Sequence, residues 1–200
     1  MSAAGAGGGS GAERGGEIGS PLSRPRARRL KVVGLVVIVV GVALDLASKA
    51  WLQDHLWMDP SPSRGGTSRR VEVIEGFFAL EGTWNPGVTF GLAPNQTDLI
   101  LALTAAATLG LVVWFLATRS TSRLLHAGLA MIIGGAFGNL YDRLRWAKVR
   151  DFFLFYVGDW KWPNFNVADS LIVVGVGFVI WDALFGHRPE AKPEPVRVAP

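Results

Sequence analysis

From Leu99 to Thr118 the chain reads LILALTAAATLGLVVWFLAT, without one charged side chain. A helix rises about 1.5 Å per residue, so this run can cross the roughly 30 Å hydrocarbon core of a bilayer. Lipid offers no water to open backbone groups, which forces such a run into a helix. Three more stretches share this character: Leu30 to Leu52, Leu124 to Tyr141, and Asn166 to Phe185, where Asp169, Ser170 and Asp182 fall near the ends. Four transmembrane spans are expected, at about 30–52, 99–118, 124–141 and 166–185. Half the residues are hydrophobic and only 18% are charged, a balance too apolar for an ordinary soluble domain of this size.

Eight of the first twenty residues are Gly, too little apolar surface to offset the entropy of ordering. Residues 1–29 are expected to form a disordered cytoplasmic tail, and residues 187–200, rich in Pro, another. The arginines before Leu30 resemble the start of a signal peptide, but the apolar run is long and ends in Asp45 and Lys49 rather than in a small-residue cleavage site, so a retained span is expected. Lys and Arg number eleven in the two tails, the turn at 119–123 and Lys31 at the start of the first span, against eight in the loops 53–98 and 142–165. That asymmetry predicts both termini in the cytoplasm, with the two long loops outside.

The first outer loop is too long for a bare connector. Its segments Val71-Glu-Val-Ile-Glu-Gly76 and Phe77-Phe-Ala-Leu-Glu-Gly-Thr-Trp84 alternate β-branched or aromatic residues with acids, which predicts a small sheet; Pro60 to Thr67 reads as a flexible tip. The basic and aromatic Arg143 to Phe153 suits an interfacial segment near lipid headgroups. The expected fold is an all-α membrane bundle of four transmembrane helices, forming one domain over 30–186, with a small extracytoplasmic β-sheet and an interfacial segment.

The absence of Cys excludes a thiol nucleophile, disulfides and thiolate metal sites, and three scattered His argue against a histidine metal centre. No metal, cofactor or nucleic-acid partner is expected. Ionisable groups in a membrane are costly unless paired, so each is a candidate for function. Asp45 and Lys49 are four apart and share a helix face, as a self-compensating pair would. Gly134-Gly-Ala-Phe-Gly-Asn-Leu-Tyr-Asp-Arg143 has glycines that suit close helix packing, followed by polar Asn139, Asp142 and Arg143. Asn85-Pro-Gly reads as a turn. Asn166 and Asp169 fit an acidic capping box, and they also put a carboxylate at the lip of the membrane, where a helix N-terminus favours negative charge. Asp151 on its own reads as a surface ion-pair acid. Two carboxylates held close together cannot readily both ionise; such a pair offers a general base and a general acid at once, enough to hydrolyse an amide with activated water.

Together these elements resemble the bacterial lipoprotein signal peptidase (type II signal peptidase) family over about residues 30–186. The resemblance is carried by Asp45-Leu-Ala-Ser-Lys49, Asn85-Pro-Gly-Val-Thr-Phe-Gly91, Gly134 to Arg143, Val149-Arg150-Asp151-Phe152 and Phe165-Asn166-Val167-Ala168-Asp169-Ser170. Each fragment is weak alone, but five in order form a specific signature. The resemblance implies catalytic aspartates at Asp151 and Asp169, with Asp45, Lys49, Asn85, Gly135, Asn139, Arg143, Asn166 and Ala168 lining or supporting the site. It further implies four transmembrane helices, an extracytoplasmic β-cradle, a periplasmic-side helix, and an aspartic endopeptidase of the cell membrane. The expected enzyme is a monomer acting on diacylglyceryl-modified prolipoproteins among membrane lipids, cleaving N-terminal to the modified cysteine.

Val88-Thr89 stand where the family's loop has Ala-Ala, which puts substrate range in question more than activity, and the glycine-rich tail is not part of the pattern. A proton- or cation-coupled transporter using Asp45, Asp142 and Asp169 is the alternative from another class, and a non-catalytic assembly subunit is a third reading. A Ser48–Lys49 hydrolase is disfavoured because adjacent helical residues point about 100° apart.

Overall fold

The computed structural model describes residues 23–57, 68–87 and 97–186. Four long helices, α1 (Ser23–Leu56), α2 (Thr97–Ala117), α3 (Arg123–Trp146) and α4 (Val167–Phe185), accompany four strands, β1 (Arg70–Ile74), β2 (Phe78–Asn85), β3 (Val149–Val157) and β4 (Trp160–Lys161). All four helices are long and apolar enough to cross a membrane, so the chain is a multi-pass membrane protein.

The least apolar helix lies at the centre. The most apolar stretch of α3 has a mean hydropathy of 1.4 and is 61% buried, whereas those of α1, α2 and α4 reach 1.9 to 2.5 and are at most 17% buried. An inner helix meets protein rather than lipid and can therefore carry Asn139, Asp142 and Arg143. Glycine lets its neighbours close in. A Cβ on Gly128 of α3 would meet the carbonyl oxygen of Gly175 on α4 at 2.7 Å, and one on Gly175 would meet that of Gly128 at 2.7 Å, so backbone touches backbone there. Phe115, Leu129, Ala130 and Ile133 fill the core between α2, α3 and α1. A second cluster, Leu52, Leu56, Trp57 and Phe152, joins the end of α1 to β3.

The strands form one antiparallel sheet in the order β1-β2-β3-β4. The expected hairpin of the first loop is present as β1 and β2. Arg143 to Phe153, the expected interfacial segment, is built from the last turn of α3 and the start of β3, where β2 offers a strand edge for Val149 to Phe155 to pair with. Ala147 makes the transition in the left-handed region (φ 58°), its N–H donating to Arg143 O at 2.9 Å. Residues 23–29, expected in a disordered tail, belong to α1: Arg and Ala are good helix formers, and Pro25 sits in the first turn, where its missing N–H removes no bond. The remainder of the two tails, the tip Pro60 to Thr67, and Val88-Thr89 lie outside the described residues, and among those described the four long helices are the only ones.

Candidate active site

Strand register places the first carboxylate. Thr83 stands opposite Asp151 and Asn85 opposite Val149, after a bulge that gives β2 one more residue than β3 between the Leu80 and Thr83 pairings. Asn85 and Asp151 thus share a face as diagonal neighbours, and Asn85 Nδ2 donates to Asp151 Oδ2 at 2.9 Å. The Asn85 oxygen accepts from Gly87 N at 2.7 Å, which fixes the orientation of the amide.

The second carboxylate arrives on α4. Phe165, paired with Phe153, accepts from Phe152 N at 3.0 Å and Phe153 N at 2.8 Å, so the residue before the helix cap is stitched to β3 beside Asp151. Asn166 then caps α4 in a complete capping box: its side-chain oxygen accepts from Asp169 N at 3.0 Å, and Asp169 Oδ2 accepts from Asn166 N at 3.1 Å. The Asn166 side-chain amide donates to Asp151 Oδ1 at 2.7 Å. One residue therefore touches both acids.

α3 supplies the other support. Asn139 Nδ2 donates to Asp169 Oδ1 at 2.7 Å, and Asn139 Oδ1 accepts from Lys49 Nζ at 2.9 Å. Lys49 and Asp45 are fully buried and paired at 2.7 Å, and Asp142 lies 3.4 Å from the same ammonium. Asp45 Oδ1 accepts from Ala168 N at 2.9 Å, tying α1 to the first turn of α4. Gly135 lies against that turn: a Cβ there would collide with Ala168 O and meet Ile172 Cγ1 at 2.9 Å. Arg143 donates to Asn139 O at 3.5 Å, and its charge acts on Asp169 and Asp151. All ten residues singled out from the sequence thus belong to one connected assembly.

Burial and the neighbouring Asp169 carboxylate push Asp151 up to about 7, against the opposing pull of the Asn85 and Asn166 amides and the Lys49 charge. An acid poised there can donate a proton at neutral pH. A cleft of about 640 Å³ opens beside Asp169 and Ser170, walled by Phe155, Trp160, Trp162 and Val173. Among the described residues no group of three or more His, Asp or Glu is arranged to hold a metal ion.

Sequence reasoning missed Arg150 and Gln53. Arg150 is 5% exposed and grips Asp142 through Nη2 at 2.6 Å and Nε at 3.3 Å, while its Nη1 donates to Gln53 Oε1 at 2.8 Å. Arginine in a basic, aromatic stretch reads as a headgroup contact, and no local spacing links it to Gln53, far back on α1.

The family model for signal peptidase (SPase) II matches residues 37–185. The chain belongs to the signal peptidase II family. Its relatives include the lipoprotein signal peptidase of Methylocella silvestris, 37% identical over 79% of this chain and 89% of that protein, and that of Rhodopseudomonas palustris strain TIE-1, 38% identical over 77% and 93%. A solved structure described as a bacterial membrane enzyme shares the fold, with a TM-score of 0.66 at 23% identity over 78% of this chain and 94% of that one. As a signal peptidase II family member, the chain is a membrane peptidase.

Proposed function

We propose that this membrane peptidase removes signal peptides from prolipoproteins by aspartic chemistry, with Asp151 and Asp169 as the catalytic dyad. The observation that carries the reading is the shared cradle of amides. Asn85 and Asn166 hold Asp151, Asn139 holds Asp169, and Asn166 spans both. Asp169 takes a proton from water as the water attacks the scissile carbonyl, and Asp151 protonates the carbonyl oxygen. Collapse of the tetrahedral intermediate returns a proton to the leaving amine, the two acids exchanging roles. Arg143, within charge range of both carboxylates, steadies the negative charge of the pair.

The scissile bond is the one N-terminal to a diacylglyceryl-modified cysteine of the substrate. The aromatic cleft beside Asp169 suits the lipid, since each buried CH₂ contributes about 0.8 kcal/mol. Residues 30–186 form the peptidase domain, with both termini in the cytoplasm and the dyad at the extracytoplasmic face, as the distribution of Lys and Arg supports. The buried acids Asp45 and Asp142 each face a fixed cation, which suits a supporting role rather than a relay for ions.

The test is cleavage of a diacylglyceryl prolipoprotein by purified protein in micelles, with Asp151→Asn and Asp169→Asn assayed separately. Loss of cleavage in both, with substrate still bound, is expected; normal turnover by either variant overturns the dyad.

A further inference from the structure

We propose that Arg150 is a positioning residue that holds the peptide unit in front of Asp151, so that the placement of the dyad depends on it; the inference rests on the aspartic reading above. Arg150 stands opposite Trp84 on β2, but its backbone groups point the other way. Its N–H donates to Asp142 Oδ2 at 3.0 Å, and its carbonyl accepts from Asn166 Nδ2 at 3.3 Å. Where a sheet would continue with another strand, β3 is completed by a side chain of α3 and the cap of α4.

The side chain of Arg150 strengthens the same attachment. Side chains alternate along a strand, so residue 150 projects away from residue 151. Its guanidinium fork takes both Asp142 oxygens while Nη1 reaches Gln53 on α1, a geometry that fixes direction as well as distance. Strand, inner helix and first helix are pinned together one residue before the catalytic acid.

The clamp also sets a charge balance. Asp45 and Asp142 are matched by Lys49 and Arg150, all of them buried. Lys49 is shared between the two acids and Asn139 Oδ1. Without the Arg150 guanidinium, Asp142 keeps the N–H of residue 150 but has only Lys49 as a paired cation, and Asn139, which orients Asp169, loses part of its hold on that ammonium. One buried negative charge is then uncompensated, and the proton on the dyad is held more tightly.

The experiment measures kcat, KM and pH profile of full-length Arg150→Met, Arg150→Lys and Gln53→Leu on a diacylglyceryl prolipoprotein in micelles, with thermal unfolding in the same detergent. Arg150→Met should lose tenfold to a hundredfold in kcat, as expected of a misplaced reacting group, with KM nearly unchanged and the basic limb moved to higher pH. Arg150→Lys, which keeps the charge and loses the fork, should fall between Arg150→Met and the parent. Adding Asp142→Asn to Arg150→Met should cost less than the two separate losses combined. A purely structural role would lower the folded fraction while leaving the kcat of folded protein and its pH profile as they were; that result overturns the proposal. If Arg150→Met does not fold, Gln53→Leu decides: a several-fold drop in kcat at constant KM supports the clamp, and parental kcat rejects it. Asp151→Asn run alongside separates the two ideas. Cleavage by that variant rejects the dyad itself, whereas an inactive Asp151→Asn beside an unaltered Arg150→Met rejects the clamp alone.

Discussion

Lys49 donates to the side-chain oxygen of Asn139 at 2.9 Å, and with Asn166 Nδ2, which donates to the same oxygen at 3.1 Å, it decides which end of the Asn139 amide meets Asp169. An amide can rotate to offer either oxygen or nitrogen. With its oxygen held by an ammonium, Asn139 has only its NH₂ to turn toward the carboxylate, at 2.7 Å. A lysine that touches neither acid thereby helps to orient a hydrogen bond to one of them.

Lys49→Met is therefore expected to act twice. It leaves Asp45 and Asp142 short of a counter-charge in a buried site, a loss on the order of 3–5 kcal/mol, and it removes one of the two donors that hold the Asn139 oxygen. Unfolding in micelles should show the first effect, and reduced kcat of the folded fraction the second.

Folding raises Asp151 from its ordinary 3.8 to about 7, so the folded chain binds this proton more tightly than the unfolded one. The group's contribution to stability is greatest below about pH 4 and is lost as the pH rises through 7. Asp151→Asn should accordingly be more stable than the parent at pH 8, by at most about 4 kcal/mol, with the gap closing toward pH 4. Denaturation at several pH values checks this. Cleavage by the parent should decline above about pH 7, as the dyad loses its proton.

Asn85→Ala removes the donor on Asp151 Oδ2. Since that bond pulls the Asp151 proton affinity down, its loss should move the basic limb of the pH profile upward. A drop in kcat of about tenfold to a hundredfold is expected, the usual range for a hydrogen bond to a charged group. An unchanged limb would show that Asn85 does not act on Asp151 during turnover.

Gly135→Ala places a methyl against Ala168 O and Ile172, forcing α3 away from the turn that carries Asp169. Overpacking of this kind costs about 1–3 kcal/mol, and kcat should fall as well. Gly177→Ala, on α4 with no atom within 4 Å of the added carbon, is the matched control and should behave like the parent.

The four spans were legible because lipid imposes one rule on every backbone group, and long uncharged runs are its direct trace. Helix ends were not: α1 continues to Leu56 and α3 to Trp146, beyond the apolar runs, where packing on β3 and the Ala147 cap set the limits. Alternation revealed β1 and β2. It did not reveal β3, whose first four residues, Arg150 and Asp151 among them, are all buried, so no polar face alternates with an apolar one. The residues of the dyad's cradle were reached through motifs, with Asn166 and Asp169 also visible as a cap. Arg150 and Gln53 escaped because a pairing between an inner side chain of a strand and a helix near the start of the chain leaves no period to read.

The Asp45–Lys49 pair lies within a single helix, whereas Asp142 draws its cations from α1 and β3. During synthesis the first span can thus enter the bilayer already neutralised by its own neighbour four positions on. The third span brings an acid that meets Lys49 only when the helices dock, and Arg150 only when the strand after it folds back. Biogenesis thereby acquires an order: electroneutrality inside the bundle is completed only when β3 has paired, after the third span has docked.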